Sequence, residues 1–319
     1  MQVRGDVEAL SRICLSYATA RLDRIRTGTI RFAHYTSAKS GMQILGGREI
    51  WLRNAGVMND FKEISYGIEC LKSADERIGL RTRLQTIAEA THPSIHPTIS
   101  GLFETIYTPN NTDMFMFSLC EHGDPGDLGK LSMWRAYGGD AAGVCIVVDS
   151  DILLAFERDS ELSLSPVLYG TREEFQHQMT VVIEGLEANL DLVRRVPPDA
   201  VEHLLTKALR SAVLSTKHTG FQEELEWRLI HLPAREPQTG ISSEIECINA
   251  IPQVVYKMKA ASERDTRQVF DRLLHKVIVG PTTYPHTVRG AFVRILKEQG
   301  VRNADAKVVL SDIPLRQKS

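Results

Sequence analysis

The longest uninterrupted apolar runs of this chain are strand length. Val144 to Val148 is representative, far below the roughly 20 residues a helix needs to cross a bilayer. Short runs of this kind are buried as strands, and the segments between them carry the period of amphipathic helices. Leu10, Ile13, Cys14, Tyr17 and Ala18 follow i, i+3, i+4, i+7, i+8 spacing, which predicts a helix over 6–26 that ends at Thr27-Gly28-Thr29. Ile30 to Tyr35 reads as a strand, and Thr36 or Ser37 as the N-cap of a helix over 38–45 stopped by Gly46-Gly47. Ile50-Trp51-Leu52 reads as a second strand and 54–60 as a loop. A helical stretch from Phe61 to about Ala90 follows, broken at Thr91-His92-Pro93 and His96-Pro97.

Strand signals return at 114–119, 143–149, 226–232, 244–248, 253–256, 276–279 and 306–310. Helical signals cover 171–195 and 199–215, separated by Pro197-Pro198, and then 261–274 and 286–299. No repeat or linker interrupts them. The expected architecture is α/β of the α+β kind. It comprises an N-terminal helix (1–29) and a single mixed domain (30–319) with a helical insertion near 171–215.

Bulk chemistry narrows the partners. The chain has 319 residues, 43% hydrophobic and 24% charged, the balance of a soluble globular protein. A net charge of −2 carries no electrostatic footprint for nucleic acid or a membrane. The five cysteines are scattered, odd in number and without a Cys-x-x-Cys pair. With no signal-peptide pattern at the N-terminus, they point to reduced thiols in the cytoplasm.

Four constellations are suited to chemistry. His34-Tyr35-Thr36-Ser37 stands where a strand turns into a helix, a junction that exposes backbone N–H groups to a ligand, although Thr36 or Ser37 also serves as a plain cap. Asn59-Asp60 with Glu63 has capping-box spacing, sufficient without any ligand. Around Ser118 and the Ser132–Gly139 segment, Arg135 lies between Trp134 and Tyr137. A charged fork beside aromatic rings suits a phosphate or a base, and equally suits two core anchors with a tied arginine.

The fourth constellation is Glu224-Leu225-Glu226. In an extended segment both carboxylates share a face, and two close acids push one pKa up towards a general-base range. Period-two alternation continues through the strand, with Trp227, Leu229 and His231 on one face and Glu226, Arg228 and Ile230 on the other. The alternative for Glu226 is a salt bridge to Arg228. Metal signals are weak, because Pro93 interrupts His92-x-x-x-His96. The glycine-rich loops of dinucleotide and P-loop enzymes and the Gly-x-Ser-x-Gly elbow are absent from the sequence.

Taken in order, five segments resemble the bacterial DUF2971 family: His34-Tyr35-Thr36-Ser37, Ile50-Trp51-Leu52, Asn59-Asp60 with Glu63, Ser132 to Gly138, and Phe221 to Arg228. Val279-Gly280-Pro281 and Ser311-Asp312-Ile313-Pro314 extend the likeness, which leaves the first helix outside. This motif order is similar to that of ADP-ribosyltransferase folds, which include toxins that modify DNA and RNA. The long region between the first motif and Ser118 departs from their compact members.

That resemblance implies a split sheet, NAD as substrate, and a role in toxin action or phage defence. It implies that His34, Tyr35 and Thr36 contact NAD, that Ser118 or Tyr137 lines the pocket, and that Glu226 is catalytic as the second acid of the Glu224/Glu226 pair. Trp134 and Arg135 complete the expected nucleotide contacts. The acceptor is a nucleic acid, a protein or water. Two other readings fit the same residues: a nucleotide-binding defence module without catalysis, and a metal-dependent hydrolase or nuclease using Asp60, Glu63, Glu224 and Glu226.

Overall fold

Contacts between residues divide the chain into two compact units, one of Met1–Arg24, Ala55–Met114 and Ser165–Glu223 and the other of Ile25–Asn54, Phe115–Leu164 and Glu224–Ser319. The computed structural model describes residues 2–26, 30–57, 61–108, 114–123, 128–138, 142–150, 154, 162–233, 240–248, 250–259 and 266–313. No helix among these is long and apolar enough to cross a membrane. The chain is α+β.

The first unit is mostly helical: α1 (Gln2–Cys14), α2 (Ser16–Arg26), α4 (Phe61–Ile78), α5 (Leu80–Thr91), α6 (His96–Tyr107), α8 (Arg172–Glu187), α9 (Leu190–Arg195) and α10 (Pro198–Leu214). A two-stranded parallel ribbon, β6 (Leu168–Tyr169) with β7 (Thr216–Lys217), completes it. Its helix ends follow from local chemistry. The Thr171 hydroxyl accepts from the Glu174 N–H while the Glu174 carboxylate accepts from the Thr171 N–H, a reciprocal cap worth about 1 kcal/mol.

The stretch expected as one helix over 61–90 is two, because Gly79 takes a left-handed φ of 61° between α4 and α5. The expected break at His96-Pro97 is a helix start, since proline in the first turn loses no hydrogen bond that a helix would make. The helix expected over 6–26 is interrupted at Leu15. Gly67 lets α4 approach α10 so closely that any Cβ there would collide with the Val213 carbonyl.

The second unit is built on a mixed sheet. Its strands are β1 (Arg31–Ser37), β2 (Glu49–Asn54), β3 (Phe115–His122), β4 (Gly143–Asp149), β8 (Glu226–His231), β9 (Ile241–Ile248), β10 (Ile251–Lys259), β11 (Leu274–Val279) and β12 (Val308–Leu310). The order β12-β11-β4-β1-β3-β2-β10-β9 runs across it, with β8 also paired to β3 and the short β5 (Ser163–Pro166) joined to β8. β1 with β3 and β4, β2 with β3 and β10, β3 with β8, β9 with β10 and β4 with β11 pair antiparallel, and β11 with β12 pairs parallel.

Around the sheet lie α3 (Ala38–Gly47), α7 (Leu131–Tyr137), α11 (Thr266–Leu273), α12 (Pro285–Glu298) and α13 (Ala304–Lys307). Two apolar clusters hold the faces. One joins Val144, Ile146 and Val277 to Leu45, Phe270 and Phe292, so α3, α11 and α12 cover that side. The other joins Ala33, Tyr35, Cys120 and Cys145 to Met133 and Trp134 of α7. The expected cap of α3 is Ser37, whose hydroxyl accepts from the Ser40 N–H at 3.2 Å.

Candidate functional site

Three strands compete for β3. Cys120 pairs with both Ala33 and Glu226, and Phe115 pairs with both Asn54 and His231. A strand has two edges, so β8 lies along one and β1 and β2 share the other. β1 occupies Cys120–His122 and β2 occupies Phe115 and Met116 on that edge, leaving 117–119 between them.

The gap is filled from β1. His34 Nδ1 lies 2.8 Å from the Ser118 carbonyl oxygen, and a carbonyl only accepts, so Nδ1 carries the proton and Nε2 presents a lone pair. Burial pushes the His34 imidazole down to about 4; the Ser118 bond opposes the shift and the charge of Arg53 adds to it. The ring is therefore neutral near pH 7, and it stacks on Phe117 with centroids 4.1 Å apart.

Strand alternation sorts the remaining candidates onto two faces. Phe32, His34, Thr36, Phe117, Leu119, Trp227, Leu229 and His231 share one face, following the registers of β1 with β4 and of β3 with β8. A cleft opens there, lined by His34, Phe117, Leu119, Ile146 and Phe270 with Arg48 and Glu49 as its charged members. Tyr35, Ser118, Cys120, Glu226 and Arg228 share the opposite face. The expected triplet His34-Tyr35-Thr36 is thus divided by the pleat: Tyr35 points away from its two neighbours.

On that second face the Glu226 question has a geometric answer. Arg228 is fully buried, and its Nε and one terminal nitrogen donate to the two Glu226 oxygens at 2.8 and 3.3 Å. Glu226 is 6% exposed. The acid is held as half of a salt bridge, in fixed orientation at the mouth of β8. Across the strand pair, Ser118 lies opposite Arg228, and its Oγ is buried with no hydrogen-bond partner. A buried hydroxyl without a partner costs about 1–3 kcal/mol, so the position favours an acceptor or a water that supplies one.

Glu224 does not join this arrangement as expected. It closes a 3-10 turn over Thr219–Glu224, and Leu225 takes a left-handed φ of 49° before β8 begins. The segment is not extended there, so the period-two alignment of Glu224 with Glu226 is lost. The backbone is instead tied by the Glu121 N–H, which donates to the Leu225 carbonyl at 3.0 Å.

The aromatic segment is mostly core. Trp134 is 2% exposed, meets Tyr35 edge-on at 4.9 Å, and lies so close to Gly280 that a Cβ there would stand 2.7 Å from its ring. The Tyr35 hydroxyl accepts from the Lys130 N–H at 2.9 Å. Neither ring keeps a face for a base. Tyr137 is partly packed against the same cluster, and Arg135 is exposed on α7. Asn59, Asp60 and Gly139 lie outside the described residues, as does the Glu63 side chain. Among the described residues no three His, Cys, Asp or Glu side chains gather to hold a metal.

The sequence reading missed Arg53. It pairs with Met116 and so lies on the Ser118 face beside the gap. Its Nε donates to the neutral Gln253 Oε1 at 3.2 Å, and burial lowers its pKa. The signal was available: alternation through β2 puts Arg53 on the same face as Trp51, a cation at the end of a half-buried strand. His34, Ser118 and Arg53 at the gap, with Glu226 and Arg228 on the next strand, are the candidate site.

No curated protein and no solved structure matches the chain. Residues 133–229, less than a third of the length, match the family described as "Protein of unknown function (DUF2971)"; of the five resembling segments this span takes in Met133 to Gly138 and Phe221 to Arg228.

Proposed function

We propose that the second unit binds NAD at the gap in its sheet and cleaves the nicotinamide–ribose bond, an ADP-ribosyltransferase-like reaction. The observation that supports this reading is the adjacency of β1, β3 and β8, which puts Tyr35, Ser118 and Glu226 on one face of three neighbouring strands. In the reaction the C1′–N bond breaks and its electron pair passes to the pyridinium nitrogen, releasing neutral nicotinamide. The cationic C1′ then bonds to an acceptor oxygen or nitrogen, whose proton leaves to solvent. Glu226, held in place by Arg228, stabilises the positive charge at C1′; such preorganised groups contribute several kcal/mol to a transition state. On the Glu226 face Arg53 offers its guanidinium to the pyrophosphate, while the neutral His34, on the opposite face, fixes the Ser118 carbonyl.

The acceptor is a nucleic acid, a protein or water, and a role in toxin action or phage defence belongs to the same proposal. Incubating the full chain with NAD should release nicotinamide. Ser118→Ala, which removes an unpartnered hydroxyl without adding bulk, should preserve the fold and reduce that release at least tenfold. Glu226→Gln should abolish it. No nicotinamide from the unaltered protein across candidate acceptors would refute the catalytic reading.

One observation favours a second reading, nucleotide binding without cleavage. Arg228 engages both Glu226 oxygens, and His34 and Glu226 occupy opposite faces of the sheet. That reading predicts saturable NAD binding, weakened by Arg53→Gln, with the nicotinamide bond intact.

A further inference from the structure

The helical unit contains a second cavity, remote in chemistry from any nucleotide site. Its walls come from the α1–α2 junction at Cys14–Ala18, from Phe175, Gln178 and Met179 of α8, and from one stripe of α10 and its end. That stripe is Ala208, Ser211, Ala212 and Ser215, at i, i+3, i+4 and i+7, and its small side chains leave the space open. No lining residue is an Asp, Glu, Lys, Arg or His. Cys14 is no exception to that neutrality, since burial pushes its thiol up to about 12.

Two hydroxyls on this wall lack partners. Ser211 and Ser215 are 4% and 3% exposed, and neither Oγ makes a hydrogen bond. Their neighbour Thr216 shows the ordinary solution, donating its hydroxyl to the Ala212 carbonyl at 2.7 Å. A helical serine can turn back to a carbonyl one turn earlier in the same way, and these two do not. Each is left able to donate and to accept, inside a cavity with Leu15, Phe175, Met179 and Val182 among its apolar lining and Tyr17, Ser165 and Gln178 as neutral polar members.

We propose that this cavity binds a small neutral molecule, largely apolar, whose single hydroxyl or carbonyl group is recognised by Ser211 and Ser215. Charged compounds are excluded, because an ion stripped of water here meets no counter-charge. The inference does not depend on the NAD reading, since it concerns other residues and a different class of ligand.

The test uses the full chain with 4-fluorobenzyl alcohol, observed by fluorine NMR and thermal melting, and 4-fluorobenzoate as the charged counterpart. The alcohol should broaden on adding protein, be displaced by unlabelled benzyl alcohol and raise the melting temperature; the benzoate should do none of these. Ala212→Leu, which fills the cavity, should weaken binding at least tenfold. Ser211→Ala adds no bulk and guards against a folding failure of the first variant; it should weaken binding several-fold. Absence of broadening at millimolar alcohol, equal binding of the benzoate, or affinity unchanged in both variants would overturn the proposal. So would a crystal grown with the alcohol that holds only water against the two serines.

Discussion

Two charged groups on one face of the sheet show how differently the same chemistry can be used. On β9 and β10, Lys257 bonds Glu244 at 2.7 Å and Glu246 at 2.5 Å and lies 4.6 Å over the Trp51 ring. Its carboxylates are 53% and 26% exposed. Burial acts to lower the Lys257 pKa, but the two acids outweigh it and the net direction is up. On β8, Arg228 and Glu226 are 0% and 6% exposed. In the first cluster Lys257 is buried but its carboxylates reach solvent that screens the pair; in the second both partners have given up their hydration. A charge pair of the second kind is a poor way to gain stability and a good way to hold a carboxylate in place.

The sharpest way to break that contrast is to remove one partner. Arg228→Met should cost about 3–5 kcal/mol in urea unfolding, because it strands the Glu226 carboxylate. The double change Arg228→Met with Glu226→Leu should recover most of the loss. A single-variant cost below about 1 kcal/mol would show that the pair is wet in solution, like its counterpart at Lys257.

A smaller effect separates the faces by pH. His231, on the face opposite Arg228, is held down at about 4 by burial, against 6.5 unfolded. The fold keeps it neutral, so the unfolded chain binds the proton first as pH falls. Its contribution is complete above 6.5, declines between 6.5 and 4, and levels off below; the loss is ~3 kcal/mol by linkage. His34 adds a slope of the same sign. Stability measured from pH 7 to pH 4 should therefore fall, and His231→Phe should remove part of that fall.

The smallest effect is expected at the cluster whose carboxylates reach solvent. Lys257→Met should change stability by about 1 kcal/mol or less, and most of that change should vanish in 0.5 M salt. A salt-independent loss of several kcal/mol would place this cluster with the buried pair.

Much of the frame was legible because short-range rules decide it. The alternation along β8 put Trp227, Leu229 and His231 on one side and Glu226, Arg228 and Ile230 on the other, as the pairing with β3 has them. Ser37 was recognisable as a cap from its place before an apolar period. What escaped was decided by backbone exceptions and by contacts distant in sequence. Leu225 adopts φ 49° against its intrinsic preference, which no spacing rule anticipates. Trp134 is a core residue because Tyr35 and Gly280 close on it from other elements. Arg53 stood at the end of a short strand, and only the shared edge of β3 shows that it borders a gap.

That shared edge has a consequence in time as well as in space. β1, β3 and β8 come from early, middle and late parts of the chain, with helical segments of the other unit between them. Their pairing is non-local, and contacts of that kind form slowly because long loops must close first. Until β8 is made and docks, β3 keeps an open, mostly apolar edge, Phe115 to Leu119 with Ser118 its one polar residue, on which another strand can pair. A chain that ends before Glu226 would lack both the candidate acid and the cover for that edge. For this protein, completing the site and protecting the nascent sheet from aggregation are one folding event.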